Sequence, residues 1–173
     1  MFAPFARRDS RKEKPSRDRS CFEGTTMTPE FFIRLLDEAY EKRAWHGPNL
    51  RGSLRGISAE QAIWRPEFER HNIWELAVHC AYWKYAVRRK LTGEKRGSFA
   101  RKGSNWFLAE EPDEKQWRED LKLLSSEHRA LRSAVLQAPP QRLRDMARLV
   151  QGAAFHDVYH AGQIQLIKRL MPV

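Results

Sequence analysis

Apolar residues recur every third or fourth position in four separate stretches of this chain, and nowhere do they alternate over the length of a strand. Such a period puts one apolar stripe on each of four helices, and the stripes are hidden by packing the helices on one another. The first stretch, Phe32, Leu35, Leu36 and Ala39, predicts a helix from about Pro29 to Trp45. Thr28 caps it, Pro29 sits where a missing N–H costs nothing, and His46-Gly47-Pro48 stops it. The second stretch, Ile73, Leu76, Cys80, Trp83, Val87 and Leu91, starts behind Asn72, with Glu75 three residues on, and ends at Gly93. The third carries Trp117, Leu121, Leu124, His128, Leu131 and Val135 over about Asp113 to Ala138. Pro139-Pro140 breaks the chain there, and a fourth helix is expected from about Arg142 or later to Leu170. Between the first two helices a loop is expected, interrupted by a short helix through Trp64 that Ser58-Ala59-Glu60-Gln61 opens as a capping box. Residues 93–113 read as a second long loop, anchored by Trp106 and Phe107. The fold class that follows is all-α, a four-helix bundle.

A chain of 173 residues is one domain by size and buries enough surface to need no covalent staples. Residues 1–26 lack apolar periodicity and read as a disordered basic tail ahead of a bundle domain over 27–173, with Met27 a candidate initiator. The tail has arginines but no apolar run after them, so it does not read as a secretory leader. No stretch approaches the roughly 20 apolar residues that span a bilayer. Cys21 and Cys80 stand far apart and outside any paired motif, which excludes a disulfide framework and a thiolate zinc site. These features together predict a cytoplasmic protein with no membrane partner. The net charge is +10, from 32 basic and 22 acidic residues; the tail holds seven basic and four acidic residues, or +3. Charge of this sign attracts polyanions. No finger, helix-turn-helix or RNA-binding signature accompanies it, so the expectation is no sequence-specific nucleic-acid binding, only affinity that collapses as salt rises.

The chemistry-bearing residues concentrate in the fourth helix. In His156-Asp157-Val158-Tyr159-His160-Ala161-Gly162-Gln163 the two histidines stand at i and i+4, one turn apart and within about 6 Å between Cβ atoms. Two imidazoles so placed can grip one ion. The zinc-protease pattern H-E-x-x-H is absent, because residue 157 is Asp. At 100° per residue, Leu149, Ala153, His156, His160, Gln163 and Ile167 share the face expected to point inward, with Asp157, Ala161, Gln165 and Lys168 away from it. Buried imidazoles need partners; a metal would satisfy both, and so would backbone groups or water. A third ligand must come from another helix. His79, flanking the second stripe beside Leu76 and Trp83, is the best placed. His128 occupies a full stripe position and reads as a core histidine, His46 can reach a cleft from the end of the first helix, and His71 reads as a loop residue. Three neutral imidazoles with a position left open are the donor set of a catalytic ion rather than a closed structural one. Zinc suits it, and nickel, iron and manganese can also take it.

Three stretches resemble the DinB family of DinB/YfiT-like metalloenzymes: Ala44-Trp45-His46-Gly47-Pro48, His71-Asn72-Ile73-Trp74-Glu75-Leu76-Ala77-Val78-His79, and the run from His156 to Ile164. The likeness covers about residues 28–171. It implies a bundle of up-down-down-up topology with a long crossover. It also implies one divalent metal ion bound by a histidine of the second helix and two of the fourth, which match His79, His156 and His160. Characterised relatives include transferases and isomerases that use low-molecular-weight thiols such as bacillithiol or mycothiol, and some bundles pair as homodimers. The resemblance therefore implies a metal-dependent S-transferase that joins a low-molecular-weight thiol to a small electrophilic substrate. The alternatives are a metal-dependent hydrolase and a non-catalytic, metal-stabilised stress-response module with the tail as its docking segment. No general base follows from the residues; Tyr159, His46 and Gln163 are the cleft or supporting candidates. The tail has no counterpart in the family pattern.

Overall fold

The computed structural model of the chain describes residues 28–97 and 99–172. The basic segment 1–26, expected to stand apart from the bundle, lies outside the described residues. Among those described are six helices and no strand. Four are long enough to carry the bundle: α1 (Pro29–Tyr40), α4 (Ile73–Thr92), α5 (Glu114–Gln137) and α6 (Pro140–Leu170), with the short α2 (Leu50–Ser53) and α3 (Ala59–Ile63) on the α1–α4 crossover.

Local side chains set most of the boundaries. Thr28 accepts from the Phe31 N–H, Asn72 from Glu75, and Asp113 from Lys115 and Gln116, so each helix start is satisfied by the residue just before it. Ser58 and Gln61 form the reciprocal capping box at 3.2 and 3.1 Å. Gly93 closes α4 in the left-handed region, φ 80°.

Three boundaries differ from the expectation. The first helix stops at Tyr40, not Trp45, where Glu41 leaves helical geometry. Glu41, Lys42 and Arg43 are exposed and Trp45 is 95 % exposed, so among the described residues little packs against a longer helix. The expected loop contains the single turn α2, because Asn49 caps Gly52 at 2.7 Å and Leu50 is fully buried. The fourth helix begins at Pro140, at least two residues before the expected start: the second proline of the pair occupies the first helical position, so the pair ends one helix and starts the next.

The interior has two apolar clusters. One gathers Trp74, Leu76, Trp117, Leu124 and Ile164; the other gathers Phe32, Leu36, Leu131, Leu143 and Val150. Between them, on three helices at once, stands a polar residue. Lys84 lies between Ala81 and Val87, His128 between Leu124 and Leu131, and Asp157 between Ala154 and Ala161. All three are about 1 % exposed. This shifts the expected fourth stripe and corrects one position of the second, whose Ile73, Leu76, Cys80, Val87 and Leu91 are buried as expected. Asp157 and Ala161 face inward while Leu149 is 36 % exposed, and Trp83 sits at the surface while Lys84 takes the interior position. The charges are hidden because Lys84 and Asp157 pair with each other across α4 and α6.

Asn72 ties the crossover to the bundle. It is fully buried, caps α4, and donates to the Ala109 carbonyl at 2.8 Å and to Ile63 at 3.4 Å. Asn72→Ala removes the cap and both side-chain bonds, leaving the Ala109 carbonyl only the longer contact from Arg65 at 3.4 Å. Urea unfolding should show a loss of about 2 kcal/mol. A loss under about 0.5 kcal/mol, the scale of an ordinary surface change, would mean that water replaces both roles.

Candidate metal centre

Helix α6 presents His156 and His160 one turn apart, and α4 brings His79 against them. The His156 Nε2 lies 3.0 Å from the His79 Nε2 and 3.0 Å from the His160 Nε2. The outer nitrogens of two of these rings are already committed. The His79 Nδ1–H donates to the Asn105 carbonyl at 2.8 Å, and the His160 Nδ1–H donates to Gln163 Oε1 at 2.5 Å. A carbonyl oxygen only accepts, so the proton of each ring is on Nδ1 and its Nε2 carries a bare lone pair. Two lone pairs therefore face the third ring at contact distance, and one proton on His156 can answer only one of them at a time. A cation would answer all three. Nitrogens held 2.0–2.1 Å from one ion at tetrahedral angles stand about 3.3 Å apart, close to the separations found here.

Burial keeps these rings uncharged. His79 and His160 are 5 and 4 % exposed, and His156 is half-buried at the flank of α6. Loss of water pushes the His156 pKa down to about 3 and that of His79 to about 4, with the neighbouring imidazoles adding to the effect; His160 is lowered for the same first reason. At neutral pH His79 and His160 offer Nε2 lone pairs with no proton to displace, and His156 does the same in the tautomer that carries its proton on Nδ1.

The ring planes are fixed from outside. Trp106 stacks on His79 at 3.8 Å and 7°, and its other face stacks on His71 at 3.6 Å and 9°. His71 donates from Nδ1 to Oε2 of the buried Glu75 at 2.9 Å, and Arg65 grips both oxygens of that carboxylate. Asn105, which supplies the carbonyl for His79, has φ 65°, a conformation that Asn tolerates better than most residues. Its side chain accepts from Trp83 Nε1 at 3.0 Å, which holds the turn in place. Thus the Trp106 expected merely as an anchor is part of the site, and Asn105 was missed. An Asn at the tip of a Gly-containing loop was the one available signal.

The remaining sequence candidates divide. Gln163 bonds His160 directly and donates to the Tyr159 hydroxyl at 3.3 Å, so both border the triad. His46 does not reach it: the exposed ring lines a separate apolar cleft of about 460 Å³ with Trp45 and Phe155, which Tyr159 also borders. Two other groups have donor atoms within 4.8 Å of one another, Cys80 with His156 and Asp157, and Asp37 with Glu41 and His128. Their acids are already answered by Lys84, Arg132 and Arg51, and burial pushes the Cys80 thiol well up. The three histidines are the better-matched donor set.

Residues 43–164 match the model of the DinB superfamily. The chain belongs to that superfamily. Neither the curated proteins nor the solved structures yield a match. The matched span contains all three histidines and ends one residue after Gln163. DinB proteins commonly bind metal, and the converging histidines of this member could hold one ion.

Behind the triad, His128 stacks on Tyr40 at 4.0 Å and neither ring nitrogen has a hydrogen-bond partner among the described residues. Asp37 Oδ1 lies 3.4 Å from Nε2, but Arg132 occupies that carboxylate at 2.6 Å. Burial, then the charges of Lys84, Arg132 and Arg129, push His128 down to about 3. The unfolded ring titrates near 6.5, so below that pH the unfolded chain takes up a proton that the folded chain refuses. The corresponding stability is complete above pH 6.5 and is lost as pH falls toward 3. Circular-dichroism melts from pH 7 to 4 should show a falling midpoint, with a shallower fall in His128→Leu. Equal slopes in the two proteins would place the acid sensitivity elsewhere.

Proposed function

We propose that this DinB protein holds one divalent metal ion on His79, His156 and His160 and uses it to join a low-molecular-weight thiol to a small electrophile. The observation that carries the reading is the meeting of three uncharged Nε2 atoms, two of them with their lone pairs turned inward by Asn105 and Gln163. Zinc is the ion best suited to three nitrogens and an open position, with nickel, iron or manganese as substitutes. When bound, such an ion supplies Lewis acidity that favours the deprotonated form of a thiol or a water. The protein's own part is to fix geometry. Trp106 and the Asn105 carbonyl hold the His79 ring, and Gln163 holds His160 in one tautomer. Tyr159 is 64 % exposed at the rim, where its hydroxyl can meet a substrate.

The test is elemental analysis of the purified full chain, followed by a screen of thiols against an activated aryl halide with and without the metal. About one equivalent of metal and metal-dependent thioether formation support the proposal. Metal-dependent ester cleavage that needs no thiol would move the assignment to a hydrolase. A full metal load with neither activity would leave a metal-stabilised module.

The same reading includes pairing of two copies. Phe155, Tyr159, Leu166 and Leu170 are 53–64 % exposed and share the outer face of α6, with Gly162 among them. A second copy would cover such a stripe. Light scattering should give twice the 20.4 kDa chain mass. A monomer at all concentrations would remove this part of the proposal.

A further inference from the structure

The C-terminal end of α1, the turn α2 with the residues after it, and the first half of α5 enclose a second cleft, of about 600 Å³. Its floor is apolar: Tyr40, Leu54 and Leu124 line it and are 2, 5 and 1 % exposed. Its rim is basic. Arg51, Arg55 and Lys122 all line it, against the single carboxylate of Glu41. Arg51 spends its charge on Glu41 at 2.7 Å. The side chains of Arg55 and Lys122 make no hydrogen bond or ion pair with any described residue. Two uncommitted cations therefore stand over an apolar floor of drug-sized volume.

None of the three histidines lines this cleft. The Tyr40 ring separates it from the buried polar layer: Lys84 Nζ lies 5.0 Å from the centre of that ring and pairs with Asp157 on the other side. The cleft is thus a different place from the metal centre, reached from a different face.

We propose that it binds an amphipathic small anion, with a flat apolar body on Tyr40, Leu54 and Leu124 and a phosphate, sulfonate or carboxylate head between Arg55 and Lys122. Each half of the lining excludes a simpler ligand. A bare anion would meet the cations and leave the apolar floor unused. A neutral apolar molecule would cover the floor and leave both cations unanswered. A guanidinium and an ammonium on one rim suit an oxyanion, the first by paired N–H donors and the second as a point charge.

Phenyl phosphate is the probe, titrated into the 15N-labelled full chain with its metal, with inorganic phosphate in parallel. The expected result is saturable shifts at the amides of Gly52, Gly56 and Ser125, while those of His79 and His156 stay still. Phenyl phosphate should bind at least about tenfold more tightly than inorganic phosphate, since the ring adds more than 1.4 kcal/mol of apolar burial. Arg55→Glu with Lys122→Glu should weaken it at least about tenfold, the worth of one charge-assisted contact. The milder pair Arg55→Gln and Lys122→Gln, both surface changes, should fall between. Four outcomes would each overturn the proposal: equal affinity for the two phosphates, shifts spread over the basic surface without saturation, shifts centred on the histidines, or unchanged affinity in both double variants.

Discussion

Replacing any one of His79, His156 and His160 by Ala is expected to abolish stoichiometric metal binding, whereas His128→Ala keeps the ion. Each of the three supplies one of three Nε2 donors, and two imidazoles with solvent hold a divalent ion far more weakly than three. Loss of a supporting group alone, as in Gln163→Leu, should cost about 10–100-fold in affinity, because the His160 ring then loses the partner that fixes its tautomer. Loss of a ligand must exceed that. Elemental analysis after dialysis, with competition against a chromogenic chelator, reads both effects. The variants also discriminate among the three possible donor groups. Retention in His79→Ala with loss in His128→Ala would move the ion to Asp37, Glu41 and His128. Retention in His79→Ala with loss in Asp157→Asn would move it to Cys80, His156 and Asp157. A full equivalent retained after both His156 and His160 are replaced would remove the site from α6 altogether.

What the residues announced in advance was whatever they settle locally. Thr28, Asn72 and Asp113 cap the helices they precede because a cap needs only its own backbone within three residues. The i, i+4 pair of His156 and His160 was legible for the same reason. The end of α1 was not, since it depends on how much of Glu41 to Trp45 the rest of the fold covers, and among the described residues most of that stretch stays exposed. His79 could be nominated from its flank position, but its tautomer depends on the path of a loop that turns at Asn105 with positive φ. The phase of α6 misled most. An aspartate is ordinarily placed at the surface, and so is a lysine. Asp157 and Lys84 both lie inside because each is the other's partner, a fact that belongs to two residues seventy-three positions apart on two helices and to neither helix alone. With Asp157 inside, His156 is rotated to the flank, where it meets His79 instead of pointing into the core.

That pair yields the largest expected effect on stability. Lys84→Met leaves Asp157 about 1 % exposed with no opposing charge, and unfolding should show a loss of about 3–5 kcal/mol. Asp157→Leu strands the ammonium in the same way and should cost a similar amount. The double change Lys84→Met with Asp157→Leu removes both charges and fills the layer with apolar side chains. It should recover most of the loss or exceed the original stability, since exchanging a buried pair for apolar packing is neutral to about 4 kcal/mol stabilising. One carboxylate oxygen, Asp157 Oδ1, has no hydrogen-bond partner among the described residues, so the pair is incompletely satisfied to begin with. Burial pushes the Asp157 carboxyl above its ordinary range while Lys84 holds it down. In Lys84→Met the second influence is gone and the acid rises further. A raised folded pKa means that the folded chain keeps a proton the unfolded chain has released, so stability is gained as pH falls. The gap between Lys84→Met and the unaltered protein should therefore narrow from pH 7 toward pH 5. Metal content in the double variant completes the experiment. It should stay at one equivalent, because His156 and His160 keep their spacing on α6 and His79 keeps its hold on Asn105. A double variant as unstable as the singles would show that the layer specifies how α4 meets α6. A stable double variant that has lost its metal would show instead that the pair sets the rotation of α6 on which His156 depends.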